Sequence, residues 1–329
     1  LGMSSPRGSS PSPPARGREW QRTAETSSSK RPAPQESSVV PPPAKRAKLA
    51  KQEAPFCDGF VLGSKPKASD YVPVVRAILL RACTDYSGRI ITINALPSVG
   101  LQGEWAKQTF RAACRAADER YILSPRMAKI IVARGSQVRG KLVEIVRTLF
   151  APNYEFARST NVKTIAANKE KAELLLHKSA AHYKDPTTRA GYAENKIIGE
   201  VRQLVFFKER TSVGIIFSSY FDPIPFPLIA LEITTLEFCA KEWQTGTFSA
   251  AKFTEKSIAE AYAGHLADTE KWSKLNEAVV DKLRRKWYVR ASRPVTKITS
   301  TDKAGNMDEE QQNALRDELA GRTGDTDSE

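Results

Sequence analysis

Gly135-Ser136-Gln137-Val138-Arg139-Gly140-Lys141 is the stretch whose residue types and spacing come nearest to chemistry. It follows the apolar run KIIVAR and precedes an amphipathic segment, so it mimics a glycine loop that cradles phosphates with backbone N–H groups. Such a loop needs Ser or Thr after its lysine to hold magnesium, and Leu142 stands there. Upstream, Ser124-Pro125 is a helix cap followed by a first-turn proline, where a phosphate loop requires a strand. Nucleotide binding is not expected. His177, His182 and His265 lack metal-ligand spacing, and the first two, five apart, do not share a helical face. Cys57, Cys83, Cys114 and Cys239 are scattered, which argues against a disulfide framework or structural zinc and fits a reducing compartment. No cofactor or metal is expected.

Glu232 is the one carboxylate placed oddly. On a helical wheel it falls between Leu228, Cys239 and Trp243, inside an apolar arc. A buried carboxylate must be paired or neutralised, so an arginine from a neighbouring helix, or a domain edge, is its expected surrounding. No second carboxylate or histidine is set beside it, and no catalytic residue is assigned.

Cations carry the stronger signal. The chain holds 51 Lys/Arg against 37 Asp/Glu, a formal charge of +14. Residues 56–298 carry 38 basic and 24 acidic side chains, whereas residues 299–329 carry three and nine. A basic domain with an acidic tail points to a polyanionic or acidic partner, the alternative being charge that serves solubility. Lys45, Arg46 and Lys48 follow Pro41-Pro42-Pro43 and precede Leu49. Cations held extended at that spacing match the acidic, tryptophan-lined groove of an importin, which implies nuclear import. Further along, Lys271, Lys274, Lys282 and Arg285 fall within about 80° of one another if one helix runs through them. Arg284, Lys286 and Arg290 extend that cluster, and Arg139 and Lys141 belong to a second basic zone, Lys107 to Arg147. Together they are the expected nucleic-acid-binding residues, the alternative being a solvated helical face.

These residues need elements to position them. The stretch from Tyr220 to Gly246 is the organising one. Pro223, Pro225 and Pro227 hold its start extended, Pro227 suits a first helical turn, and Gly246 is the expected stop. Leu228, Ile229, Leu231, Ile233, Leu236, Phe238, Cys239, Ala240 and Trp243 cover most of the circumference. Only Thr234, Glu237 and Lys241 make a polar strip, with Glu237 and Lys241 in the favoured ion-pair order. Helices are also predicted over Val72–Arg81, Glu104–Tyr121, from Ser124-Pro125, and over Gly140–Phe150, Asn161–Tyr183, Ala193–Phe207, Thr254–His265 and Glu270–Arg290. In the last of these Trp272, Leu275, Val279, Leu283 and Trp287 form the inward stripe. Arg89–Leu96, RIITINAL, reads as a strand-like connector. The longest greasy run, Val213–Ile233, is interrupted by charges and prolines, so no membrane span is expected.

The runs ARGSQVRGKLVEIV, NKIIGEVRQLVFF, PIPFPLIALEITTLEFCAKEWQTGTF and AYAGHL resemble a helical domain of unknown function abundant in mushroom-forming (basidiomycete) fungi. The resemblance spans about Val72 to Ala291 and implies no assigned activity. Gly135 and Glu232 depart from its pattern. The expectation is a single all-α domain, residues 56–295, wrapped around a central hydrophobic helix. Disordered tails flank it: 1–55, Pro/Ser-rich with the import signal, and 296–329, acidic. The expected function is non-enzymatic, nuclear binding of DNA, RNA or chromatin. The alternatives are a nuclear protein–protein adaptor and, third, an enzyme with a deep polar pocket.

Overall fold

The computed structural model describes residues 52–301 apart from 62 and 64, with side chains through residue 293. The import signal and most of both tails lie outside the described residues. Among the described residues there are nine α-helices and only isolated bridges in place of strands, an all-α domain. Its edges differ slightly from expectation. The chain is already docked at Gln52, whose amide donates to Arg120 O at 3.0 Å while its carbonyl accepts from Ile122 N at 2.9 Å. At the other edge the last helix continues through Thr301.

Helix α1 (Pro73–Thr92) starts on its proline as predicted but absorbs the first half of the stretch read as strand-like, residues 89–92, while 93–96 form the turn that follows. Helical β-branched residues cost only tenths of a kcal/mol each, and here Ile90 and Ile91 are fully buried, which outweighs that cost. Ser98 caps α2 (Val99–Ala116) and Ser124 caps α3 (Pro125–Asn153). Two predicted helices merge in α3, which passes through Gly135 and Gly140 without a break. The phosphate-loop mimic is thus plain helix, with Gly135 packed beside Ile90. Asn161 caps α4 (Val162–Leu176), and a 3-10 turn, His177–His182, follows with Lys178 and Ser179 at φ 49° and 54°.

Asn195 caps α5 (Lys196–Phe206), which the short α6 (Val213–Ile216) follows. Helix α7 (Phe226–Lys241) is the organising helix, with Pro227 in its first turn and α8, α3, α4 and α1 packed around it. It is buried on nearly every side, Thr234 included, so only Glu237, Phe238 and Lys241 of its later turns reach partial or full exposure. Glu237 and Lys241 pair at 2.7 Å as expected. The helix ends five residues before Gly246. That glycine instead turns the following loop at φ 83°, pressed against α4.

The last predicted helix is two. Helix α8 (Glu255–Leu275) and α9 (Glu277–Thr301) are separated by an extended Asn276. The predicted inward stripe therefore breaks: Leu275 is 84% exposed and Val279 49%. Trp272 and Trp287 still meet, stacked across the break at 6.0 Å. No helix among the described residues is long and apolar enough to cross a membrane.

Candidate functional site

Between the end of α3, α5 and α9 lies a groove of about 680 Å³. Asn195 builds its wall by three contacts. Its side-chain oxygen caps α5 at Ile197 N (3.2 Å) and accepts from Asn153 Nδ2 (3.3 Å), while its amide donates to Tyr183 O (2.9 Å). Beneath sits the pair expected for Glu232. Arg202 of α5 donates through Nε to Oε1 at 3.1 Å and through Nη2 to Oε2 at 2.6 Å, with both residues buried. Burial pushes the Glu232 carboxyl up, opposed by the guanidinium beside it. Trp287 packs against the Arg202 guanidinium, 5.4 Å from its ring centre, and stacks with Trp272. These contacts pack its indole into the wall.

Lys184, Lys196 and Arg290 stand exposed on the groove's rim, with Glu194 and Glu200 among them. Along α9, Lys282, Lys286 and Arg290 recur every four residues, within an arc of about 80° and about 6 Å apart along the axis. All three are exposed and none has a hydrogen-bond or ion-pair partner among the described residues.

The other predicted cations divide. Lys271 and Lys274 are exposed on α8, so the break at Asn276 removes the single face expected to unite them with Lys282 and Arg285. Lys271 pairs with Asp268 at 3.2 Å, and Arg285 with Asp281 at 2.9 Å. Arg284 is structural: Nε donates to Ile224 O at 2.6 Å and its guanidinium lies 4.0 Å from the Phe226 ring centre. Arg139 is buried, donating to Ala95 O at 2.8 Å and paired with Glu255, so it belongs to the interior rather than a binding surface. Lys141 is exposed on α3. Sequence reasoning missed Lys184, Lys196 and Arg202. Their convergence depends on how the loop before α5 meets α9, which no local spacing encodes.

A second polar cluster lies behind α7. Ser179 Oγ donates to Glu237 Oε2 at 3.1 Å, and the same oxygen contacts His265 Nε2 at 2.7 Å. The hydrogen bond with His265, helped by Lys241, holds the Glu237 carboxyl down at about 2 against the effect of burial. In a nucleophile relay the imidazole stands between hydroxyl and carboxylate. Here the carboxylate stands between hydroxyl and imidazole and is a weak base, so Ser179 is not activated. His182 is buried beside Tyr183 and Tyr192, with neither ring nitrogen hydrogen-bonded. Burial, and then the neighbouring His265, push it down to about 4.

A family model described as Domain of unknown function (DUF6532) matches residues 81–272. The chain belongs to that family. No curated protein and no solved structure matches it.

Proposed function

We propose that the chain is a non-enzymatic nuclear protein of a mushroom-forming fungus that binds nucleic acid through the outer face of α9. The observation that carries this reading is the row Lys282, Lys286, Arg290, exposed and unpaired among the described residues, continued by Lys196 and Lys184 on the groove rim. Cations set on one rigid face suit a phosphate backbone and read no sequence, because no side chain there is built to reach a base edge. Nuclear entry is attributed to Lys45, Arg46 and Lys48, recognised by an importin. The tests are direct. Anisotropy of a labelled oligonucleotide, single-stranded or duplex, should show affinity falling steeply between roughly 50 and 200 mM salt. Replacing Lys282, Lys286 and Arg290 with alanine should lower the log–log salt slope by about 2–3, at roughly 0.7–0.9 for each phosphate no longer neutralised. A flat salt response would discard the reading. Nuclear accumulation of a fluorescent fusion that survives alanine at Lys45, Arg46 and Lys48 would discard the import signal.

Glu194 and Glu200 on the same rim favour a second reading, a nuclear protein–protein adaptor. Nuclease treatment before pull-down separates the two, since the adaptor keeps its partners.

A further inference from the structure

The groove beside α9 asks for something a phosphodiester lacks. Asn153 lines it, and its Oδ1 is buried without a hydrogen-bond donor. The Arg202 side chain, which gives Nε and Nη2 to Glu232, also lines the groove. Around these stand Lys184, Lys196 and Arg290. A nucleic-acid backbone brings anions but no N–H for an orphaned carbonyl oxygen. An acidic peptide brings both: carboxylates for the cations and main-chain amides for Asn153.

The chain carries such a peptide. Residues 302–329 hold nine acidic and three basic side chains, concentrated at Asp308-Glu309-Glu310 and Asp317-Glu318. They follow α9 directly. From Arg290 to Thr301 the helix advances about 16 Å. The seven residues from 302 to 308 span up to about 23 Å when extended, so Asp308 reaches back to the rim. A tether that short gives an effective concentration on the order of millimolar, enough for a weak site to fill.

We infer that the acidic segment 302–329 docks in cis on the groove between α5 and α9, through Lys184, Lys196, Arg290 and Asn153. Its effect on nucleic acid, competition for α9, rests on the function proposed above; the docking itself does not.

The test uses the full chain and zero-length carbodiimide cross-linking, mapped by mass spectrometry. Expected are links from Asp308, Glu309 or Glu310 to Lys184, Lys196 or Lys286, with yield independent of protein concentration. Arg290→Glu leaves every lysine in place and should cut those links at least fivefold. Links spread evenly over distant lysines such as Lys107, Lys169 and Lys252 would overturn the inference. So would links that Arg290→Glu leaves unchanged, or that rise with concentration because they join two copies. In parallel, D308N/E309Q/E310Q should tighten oligonucleotide binding at low salt about fivefold. If the links map to the groove but neither form binds an oligonucleotide, docking stands and the nucleic-acid reading falls.

Discussion

Replacing Arg202 with methionine tests the architecture at its most exposed assumption, that an interior charge is tolerated only because it is matched. Glu232 is 1% exposed and its oxygens accept from Arg202 alone among the described residues. Methionine has similar bulk but no donor, so the carboxylate is left in a dry site. Breaking one partner of such a pair costs about 3–5 kcal/mol. For a domain of this size each kcal/mol moves Tm by roughly 2–4 °C, so a fall of about 6–20 °C is expected. In the double variant R202M/E232L both charges are gone, and most of the stability should return. The sign with pH is also fixed. Without the guanidinium, burial alone acts on Glu232, and its folded-state pKa stands above the unfolded value. The stability of R202M relative to R202M/E232L is then greatest in acid and declines as pH rises above about 4.5. Urea titration, followed by tryptophan fluorescence and circular dichroism at several pH values, reads all three effects. A single variant destabilised by less than about 1 kcal/mol, or a double variant as weak as the single, would refute the reasoning.

His182 supplies a second pH effect of the opposite direction. Its folded pKa near 4 lies below the ordinary 6.5, so the unfolded chain takes the proton first as pH falls. Stability should drop between pH 6.5 and 4 by up to about 3 kcal/mol, and His182→Phe should flatten the denaturation midpoint across that window. An unchanged pH slope in the variant would count against it. Gly246→Ala should cost at least about 2 kcal/mol, because φ is positive there. The new Cβ would also sit 2.2 Å from Ile165 O. A denaturation midpoint equal to that of the parent would contradict this. Arg139→Met should destabilise by about 2–4 kcal/mol by removing its bonds to Glu255 and Ala95, whereas Lys141→Ala leaves stability within about 0.5 kcal/mol. Equal midpoints for the two variants would remove the distinction drawn between them.

The central helix is legible in the sequence because its signal is local and redundant: a proline in the first turn and apolar residues all round the wheel. Ser124-Pro125 is legible for the same reason. The pairing of Glu232 follows from electrostatics alone, although which arginine answers it depends on the fold. The break at Asn276 has neither Gly nor Pro, so periodicity runs through it and merges two helices. Its one local mark is the asparagine, whose Oδ1 accepts from Val279 N at 3.2 Å and caps α9. Conversely, Gly140 looks like a boundary, but one helical glycine costs only about 1 kcal/mol and tertiary packing overrides it. RIITINAL misleads because strand preference is weaker than the burial of Ile90 and Ile91. Arg139 passes for a surface cation since charge says nothing of depth. The groove is invisible in the sequence because its lining comes from α3, the loop before α5, α5 itself and α9.

The parallel indoles of Trp272 and Trp287 bridge a joint only one residue wide. Two such chromophores, interplanar angle 7°, couple optically in a manner sensitive to their mutual orientation. The molecule therefore carries a built-in goniometer: any ligand that swings the final rod against its predecessor will alter the tryptophan ultraviolet spectrum without an added label.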